Sequence, residues 1–236
     1  MFKTLCRFGL CTVAGAFVLS LRSSMALAQD PVKVAPNNYK VALENDSVRV
    51  CNVQAKAGEK VAMHSHPDHL VYAINGGKVK FTYPDGKTKD VELKAGEGTW
   101  IKAETHATDN IGSTELKLVV FEIKKPAAAA GAKPKAPEGD DQVKAAPDST
   151  KVLLDNERVR LLDVHVKGGG KLAKHSHPAH VAYGVSDAKF KATTPDGKTA
   201  EKSLTAGQAM WSEPTTHTVE NAGTAEIHIV VLELKD

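Results

Sequence analysis

Histidine is the residue type whose spacing points to chemistry in this sequence. Eight of the ten histidines occupy four positions that occur twice, at a constant offset of 111 residues. In each His-x-His pair the two side chains share one face of a strand, because successive side chains alternate. Neutral imidazole binds most divalent transition metals, so the duplication predicts two copies of one metal site. The candidate ligands are His64, His66, His69 and His106 in the first copy, and His175, His177, His180 and His217 in the second.

The sequence around these histidines is also duplicated. Residues 41–124 align with residues 152–235 without a gap, and 37 of the 84 aligned pairs are identical. His165 and His228 lack a histidine counterpart, since they align with Gln54 and Lys117. A repeat of about 85 residues is long enough for one small domain. We therefore expect two similar domains, at residues 38–125 and 150–236.

Two segments outside the repeat have the composition of non-globular sequence. Residues 126–149 are rich in Ala, Pro and Lys, which is typical of an extended linker. Residues 1–28 begin with Lys3 and Arg7, continue with an apolar stretch and end in Ala-Leu-Ala, which is typical of a secretory signal peptide. We therefore expect cleavage near Ala28, a periplasmic or secreted location, and no membrane partner.

The charge of the chain argues against a nucleic-acid partner, and its cysteine content argues against an internal disulfide. The formal net charge is +3, and the predicted signal peptide carries three basic residues and no acid, so the rest of the chain is neutral overall. Without a basic cluster we expect no nucleic-acid partner. Cys6 and Cys11 lie in the signal segment, which leaves Cys51 without an internal disulfide partner. Because Cys51 aligns with Leu162, we expect it to be buried among apolar residues.

Short apolar or alternating runs separated by turn residues fill each repeat, which predicts an all-β sandwich or small barrel. Residues 84–86 and 195–197 both read Pro-Asp-Gly, with Pro where φ must be negative and Gly where a positive φ is tolerated. Each tripeptide therefore predicts a hairpin turn. In the first repeat the predicted strands include residues 48–53, 61–66, 70–74, 79–83, 91–93 and 116–123.

The spacing of glycines, histidines and an asparagine resembles the two sequence motifs of the cupins. The residues that carry the resemblance are Gly58, His64, His66, Gly76, Gly96, His106 and Asn110 in the first repeat, and Gly169, His175, His177, Gly207, His217 and Asn221 in the second. The resemblance implies a bicupin, with two tandem cupin barrels of the double-stranded β-helix or jelly-roll type. It also implies one divalent transition metal per barrel (Fe, Mn, Cu, Ni or Zn), a small-molecule ligand or substrate, and barrels that pair with each other, with a homo-oligomer also compatible.

The sequence departs from the cupin motif at the fourth ligand. Where cupins usually carry a glutamate, it has His69, and His180 in the second repeat. These two residues are either fourth ligands or pocket residues that orient a ligand, and both interpretations stay open.

The missing glutamate also bears on the reaction. It weighs against the chemistry of oxalate-decarboxylase cupins, which rely on that ligand, whereas similar three-histidine cupins oxygenate diketones or thiols on Fe(II). We therefore expect a small-molecule metalloenzyme of dioxygenase type. The alternative is a non-catalytic periplasmic protein that binds a metal or a small ligand. The sequence identifies no separate catalytic acid or base.

Three more residue types near the histidines have expected roles that follow from strand alternation. Tyr72 falls on the face opposite His69 and is expected to pack in the core. Trp100 is expected on the outer face, where it would dock one barrel against the other. Arg49 alternates with valines, which favours a solvated strand face over a carboxylate anchor. The same expectations hold for the counterparts Tyr183, Trp211 and Arg160.

The alternation also predicts room beside the histidines. Small side chains share the face of His69 and His180, leaving space for water or a small ligand: Val71 and Ala73 in the first repeat, Ala182 and Gly184 in the second. The repeats differ nearby, because Asp68 aligns with Ala179 and Gly76 aligns with Asp187. The two sites therefore need not be equivalent, and the sequence leaves open whether one barrel or both are active.

Overall fold

The structure, a computed structural model, describes residues 29–124 and 140–235. The predicted signal peptide and residues 126–139 of the predicted linker lie outside the described residues. We call residues 29–124 barrel 1 and residues 140–235 barrel 2, because each part forms one pair of antiparallel sheets.

Each barrel begins with a helix of four residues and continues with nine strands. Barrel 1 contains α1 (Pro31–Val34), β1 (Tyr39–Glu44), β2 (Val48–Ala55), β3 (Lys60–His66), β4 (His69–Ala73), β5 (Gly77–Thr82), β6 (Thr88–Leu93), β7 (Gly98–Ile101), β8 (Glu104–Asn110) and β9 (Leu116–Ile123). Barrel 2 contains α2 (Gln142–Ala145), β10 (Thr150–Asp155), β11 (Val159–Val166), β12 (Lys171–His177), β13 (His180–Gly184), β14 (Ala188–Thr193), β15 (Thr199–Leu204), β16 (Ala209–Ser212), β17 (Thr215–Asn221) and β18 (Ile227–Leu234). Neither helix of the described chain is long enough to cross a membrane.

The strand order confirms the predicted all-β fold with two tandem jelly-roll barrels. In barrel 1 the sheets have the orders β1-β2-β9-β4-β7 and β3-β8-β5-β6, and barrel 2 repeats them as β10-β11-β18-β13-β16 and β12-β17-β14-β15. Most neighbouring strands are not consecutive in sequence, so the chain crosses between the two sheets of a barrel. Both predicted hairpin turns are present, with φ of 81° at Gly86 and 82° at Gly197.

The five-stranded sheets of the two barrels pack against each other. Their shared apolar core includes Val50, Leu70 and Phe121 of barrel 1 and Leu161, Tyr183 and Leu232 of barrel 2. Strands β9 and β18 are therefore buried on both faces, one toward the interior of their own barrel and one toward the neighbouring barrel. This explains why their sequences are almost continuously apolar.

Polar contacts also join the barrels at this interface. The Tyr183 hydroxyl donates a hydrogen bond to Oδ1 of Asn52 at 2.7 Å, and Nδ2 of Asn52 donates to the carbonyl of Gly207 at 2.8 Å. Arg158 and Asp68 form a further contact, with 3.3 Å between Nη1 and Oδ2. These bonds favour one orientation of barrel 1 relative to barrel 2, because another orientation would leave buried polar groups without hydrogen-bond partners.

Several residue predictions are confirmed. Tyr72 and Tyr183 are buried in the shared core, and Trp100 and Trp211 pack against it from the side. Cys51 is a buried free cysteine that contacts apolar residues.

The apolar pattern gave no bounds for three strands of barrel 1: β1, β7, which carries Trp100, and β8, which carries His106. Strand β8 has the sequence ETHATDN, in which the buried positions are His106 and Asn110 rather than apolar residues. A search for alternating apolar side chains therefore passes over it.

The duplication extends further upstream than residue 41. Residues 140–149, assigned to the linker from sequence, include α2, and its Val143 and Ala146 pack on the apolar core of barrel 2. The helix begins after Asp141, just as α1 begins after Asp30, exactly 111 residues earlier in the numbering. Both aspartates accept a hydrogen bond from the backbone two residues on, so both act as helix N-caps.

The shared core predicts a large effect of truncating one of its aromatic side chains. Phe121 is fully buried and its ring contacts that of Tyr183 with 6.2 Å between centroids. We expect Phe121→Ala to lower the free energy of unfolding by about 3–5 kcal/mol, because it removes apolar contacts and leaves a cavity. Urea denaturation measures this, with the exposed Ile111→Ala as the matched control. Equal midpoints for the two variants would contradict a shared core.

Candidate metal centres

Two compact groups of three histidines lie inside the barrels, one in each. His64 and His106 are direct cross-strand partners on β3 and β8, and His66 lies two residues further along β3. One ring nitrogen from each lies within 4.8 Å of the other two. His175, His177 and His217 repeat the arrangement in barrel 2. The structure thus brings together the three histidines that the spacing singled out in each repeat.

Hydrogen bonds at Nδ1 fix how these rings face in barrel 1. Nδ1 of His64 lies 2.7 Å from the carbonyl of Ala62, and Nδ1 of His66 lies 2.6 Å from a carboxylate oxygen of Glu122. A carbonyl or carboxylate oxygen only accepts, so Nδ1 carries the proton and Nε2 keeps its lone pair. Nδ1 of His106 is held in the same way by Glu104 at 2.7 Å. All three Nε2 atoms are therefore available as ligands.

The barrel 2 group gives a direct test of whether a metal ion fits. Nε2 of His175 and Nε2 of His217 lie 3.1 Å apart. Two nitrogens that bind one ion at 2.0–2.1 Å each are separated by roughly 3.0–3.4 Å. Since Nδ1 of His175 donates to the carbonyl of Ala173, its Nε2 presents a lone pair to this gap. The donor set fits a divalent transition metal.

Burial keeps two of the three imidazoles in each group neutral, as metal binding requires. It lowers the pKa of His64 and of His175 to about 4. Burial together with the neighbouring imidazoles lowers the pKa of His106 to about 2 and that of His217 to about 3. All four rings therefore keep a free lone pair at neutral pH.

His69 and His180 lie beside the compact groups but are not members of them. The His69 ring is 4.6 Å from the His66 ring, and its Nδ1 donates to the carbonyl of Pro67 at 2.8 Å. His180 has the same two contacts, with His177 and Pro178. Burial lowers the pKa of both histidines to about 4. Whether they are fourth ligands stays a prediction.

A buried ion network supports each centre, and sequence reasoning missed it. In barrel 1 Glu122 accepts from His66 and from Nε of Arg49 at 2.5 Å, and Arg49 also donates to Asp30 at 2.7 Å. The network thus connects the metal centre to the N-cap of α1. The same chain in barrel 2 runs through His177, Glu233, Arg160 and Asp141.

The prediction that Arg49 and Arg160 form a solvated face was wrong. Their side chains are 13% and 19% exposed and pair with carboxylates that are 2% exposed. The strand that carries each arginine lies between β1 and β9, or between β10 and β18, and both of its faces are covered. A signal was present in the sequence, because Glu122 and Glu233 are aligned carboxylates that interrupt the apolar second halves of β9 and β18.

The carboxylates of this network are charged. Burial alone would raise the pKa of Glu122, but hydrogen bonds from His66 and Arg49 more than offset it and the pKa is lowered. Glu233 is affected in the same way by His177 and Arg160. A charged acceptor at Nδ1 makes the imidazole a more basic ligand at Nε2.

The interiors of the two barrels differ in size. A cavity of about 360 Å³ adjoins His66, His69 and His106 in barrel 1, whereas the interior cavity beside the barrel 2 histidines measures about 50 Å³. Val79 and Thr99 border the larger cavity, and the larger side chains of Phe190 and Met210 occupy the aligned positions in barrel 2. The predicted space beside the histidines is therefore present mainly in barrel 1, where Val71 lines it.

Barrel 2 also opens on its outer side. A shallow recess of about 440 Å³ reaches His217 there, and it is lined mainly by polar residues such as Lys202 and Glu213. Solvent therefore reaches His217 of barrel 2 through a polar surface recess and not through an apolar chamber.

One polar group next to each centre differs between the barrels. In barrel 1 the hydroxyl of Tyr39 lies 3.2 Å from Nε2 of His64. The aligned residue of barrel 2 is Thr150, whose hydroxyl accepts a hydrogen bond from Nε2 of Gln142 at 3.2 Å. Oε1 of Gln142 is buried beside the barrel 2 histidines and has no hydrogen-bond partner. An orphaned amide oxygen at this place also fits a cation or its bound water.

Solved structures of other proteins have the same fold. No protein-family model and no curated protein matches the sequence. Among solved structures, oxalate decarboxylase of Bacillus subtilis, described with Mn(II) centres, is 14% identical with a TM-score of 0.59, over 85% of this chain and 76% of that enzyme. A deletion variant of that enzyme is 15% identical with a TM-score of 0.59, over 88% and 72% of the two chains.

A smaller match is a cupin domain from Bordetella pertussis, 25% identical over 37% of this chain and 92% of that domain, with a TM-score of 0.35. The long matches have low identity, so they establish the architecture and not the reaction. This chain has the bicupin fold, with a histidine cluster able to hold metal in each barrel.

Glu122 offers a test of the ion network. We expect Glu122→Gln to weaken metal binding in barrel 1 by about 10- to 100-fold, because the His66 imidazole loses its charged acceptor. Competition of Mn²⁺ or Zn²⁺ with a chromophoric chelator measures the affinity. Glu92→Gln, on the exposed side of β6, is the control and should leave the affinity unchanged. Loss of affinity in both variants, or in neither, would contradict this role.

The lowered histidine pKa values predict the pH dependence of the metal-free protein. Between pH 6.5 and about 4 the unfolded chain binds more protons than the folded chain at His64 and His175, so stability must decrease as the pH is lowered through that window. We expect the urea midpoint to decrease from pH 6.5 to pH 5, above the range where ordinary carboxyls titrate. His64→Gln with His175→Gln should reduce this slope, and the four remaining histidines with lowered pKa values should account for the rest. A midpoint that stays constant in the wild type would be inconsistent with neutral buried imidazoles.

Proposed function

We propose that this chain is a metal-dependent oxygenase that acts on a small molecule in the cavity of barrel 1. The observation that carries the proposal is the interior chamber of about 360 Å³ beside the three-histidine cluster of barrel 1, against an interior cavity of about 50 Å³ in barrel 2. Chambers from roughly 300 Å³ upward hold small-molecule ligands. Three protein ligands also leave coordination positions for a substrate and for oxygen.

The walls of the chamber favour a substrate that is mostly apolar. They include Val53, Val71, Val91, Leu93, Leu118 and Val120, with Lys89 and Lys102 among the charged residues. Apolar walls exclude water, and the lysines would attract an anionic or enolisable oxygen group. We therefore propose a small carboxylate, thiol or diketone with an apolar body. Oxalate, the substrate of the enzyme with the similar fold, would leave two charges against apolar walls.

His64, His66 and His106 would hold the metal, which when bound would supply the redox chemistry that lets dioxygen react with a closed-shell substrate. In a dioxygenation both oxygen atoms enter the product, and the four electrons come from the bonds of the substrate, so no further reductant is needed. The remaining work belongs to side chains. Burial raises the pKa of Tyr39, so its hydroxyl stays protonated and can donate a hydrogen bond to an oxygen atom bound beside His64.

Barrel 2 has a different role in this proposal. Its interior space is largely filled by Phe190, Met210 and Gln142, which all line the small remaining cavity. A metal held by His175, His177 and His217 there would stabilise the fold without handling a substrate of the same size. We also propose that residues 1–28 direct export of the chain, as their composition indicates.

A second candidate function is binding without turnover. The carboxylate that borders the barrel 1 chamber, Glu104, is engaged by His106, so the chamber offers no free carboxylate base. If the metal in the native compartment is Zn²⁺, a ligand would occupy its open positions and no oxygen would be consumed. Elemental analysis of the protein from that compartment separates the two functions, since an oxygenase requires a redox metal.

The sharpest test of the oxygenase fills the chamber without touching a ligand. We expect Val79→Phe with Thr99→Met, which introduces the aligned residues of barrel 2, to retain bound metal and to abolish oxygen consumption with substrates found by screening carboxylates, thiols and diketones. The physical reason is that the substituted side chains occupy the substrate volume. Full activity in this variant would refute a reaction in barrel 1.

Histidine substitutions provide the matched comparison between barrels. His64→Ala with His106→Ala should abolish oxygen consumption, whereas His175→Ala with His217→Ala should leave it largely intact. Metal content should fall by one equivalent in each variant. Equal losses of activity from both pairs would contradict the division of roles.

A further inference from the structure

A third group of metal-binding side chains lies on the surface of barrel 2, away from both barrel interiors. His165 on β11 and His228 on β18 are direct cross-strand partners, and Asp163 lies two residues before His165. Side chains at i and i+2 share one face of a strand, so all three project from the same side of the sheet. One ligand atom from each lies within 4.8 Å of the other two.

The distances bring the three side chains into one small volume. Nε2 of His228 donates to Oδ1 of Asp163 at 2.7 Å, through a proton that a bound metal ion would replace, and Nε2 of His165 lies 3.5 Å from Oδ2 of the same carboxylate. The two imidazole rings are stacked, with 4.1 Å between centroids and 20° between planes. Nδ1 of His165 donates to Glu226 at 2.9 Å, which leaves its Nε2 facing Asp163 with a lone pair.

We propose that Asp163, His165 and His228 form a third metal site, which binds Zn²⁺ or a similar divalent ion such as Cu²⁺ or Ni²⁺. Two imidazoles and one carboxylate are a common donor set for these ions, and open positions would be filled by water. The Glu226 carboxylate has the position of an outer partner that orients a ligating histidine. The side chains are 44%, 25% and 17% exposed for His165, His228 and Asp163, so an ion can reach them from solvent without any opening of the barrel.

The aligned surface of barrel 1 is built differently. Asn52, Gln54 and Lys117 replace Asp163, His165 and His228. Lys117 is a cation that pairs with Glu115, and Asn52 is engaged by Tyr183 and Gly207 across the barrel interface. The same strands in the same fold therefore provide one surface that can bind a cation and one that cannot. The difference cannot be a property of the cupin framework, which both barrels share.

A metal at this place would stabilise barrel 2. It would join β11 to β18, which are adjacent strands of the five-stranded sheet and which carry Arg160 and Glu233 of the buried network. Any ion that binds the folded state and not the unfolded state raises stability in proportion to the logarithm of its concentration. The site is independent of the proposed oxygenase chemistry, because none of its residues borders the barrel 1 chamber.

The test is a count of bound Zn²⁺ by equilibrium dialysis of the full chain. The variant His165→Gln with His228→Lys introduces the residues found at the aligned positions of barrel 1. We expect it to bind one equivalent fewer than the wild type, whatever number the barrel interiors hold. The control Gln54→Ala with Lys117→Ala should bind the wild-type number. Equal Zn²⁺ counts for the wild type and the His165/His228 variant would overturn the proposal.

A second measurement keeps the result interpretable if the double variant loses its fold. His165→Gln alone changes a half-exposed side chain, and its circular dichroism in EDTA should match that of the wild type. We expect added Zn²⁺ to raise the thermal midpoint less in this variant than in the wild type. An identical Zn²⁺-dependent shift in both proteins would also overturn the proposal, and neither readout depends on enzymatic activity.

Discussion

A buried carboxylate near the end of the last strand of each barrel is the constraint on which the rest of the structure depends. Glu122 and Glu233 are almost fully buried, and an isolated charge there would be strongly unfavourable. Each is paired with an arginine and with the Nδ1 proton of a histidine, so the charge is compensated on two sides. The pairing also turns Nε2 of that histidine inward and connects the metal centre to the N-cap of the first helix. Folding of the barrel and assembly of the centre are therefore coupled.

Duplication preserved this framework while the barrel interiors diverged. The histidines, glutamates, arginines and helix caps recur at the same offset, and the bonds that join His66, Glu122 and Arg49 recur between His177, Glu233 and Arg160. Side chains that only fill volume changed, as Val79 and Phe190 illustrate, and so did polar groups beside the centres, as Tyr39 and Gln142 illustrate. Two sites with the same protein ligands thus differ in the room and hydrogen bonds they offer. In the proposed function the lining of each site, and not the fold, decides which reaction is possible.

The sequence predicted the features that depend on local spacing. Strand alternation in His-x-His and the Pro-Asp-Gly turns are local, and the repeat identified which distant histidine belongs with each pair. The roles of Arg49 and Glu122 could not be obtained in this way, because they depend on a second barrel and a neighbouring sheet that cover both faces of their strands. The positions of Tyr39 and Gln142 beside the histidines could not be predicted, for a related reason. They precede the aligned region and reach the centres only through tertiary packing.

The most direct test of the account is anomalous X-ray diffraction from crystals of the full chain soaked in Mn²⁺ or Zn²⁺. We expect one anomalous peak inside each barrel, about 2.0–2.2 Å from Nε2 of the three clustered histidines. We also expect open space next to the barrel 1 ion and close-packed side chains next to the barrel 2 ion. The absence of a peak in both barrels, with the imidazoles hydrogen-bonded to one another, would contradict the central claim that this bicupin holds a metal in each barrel.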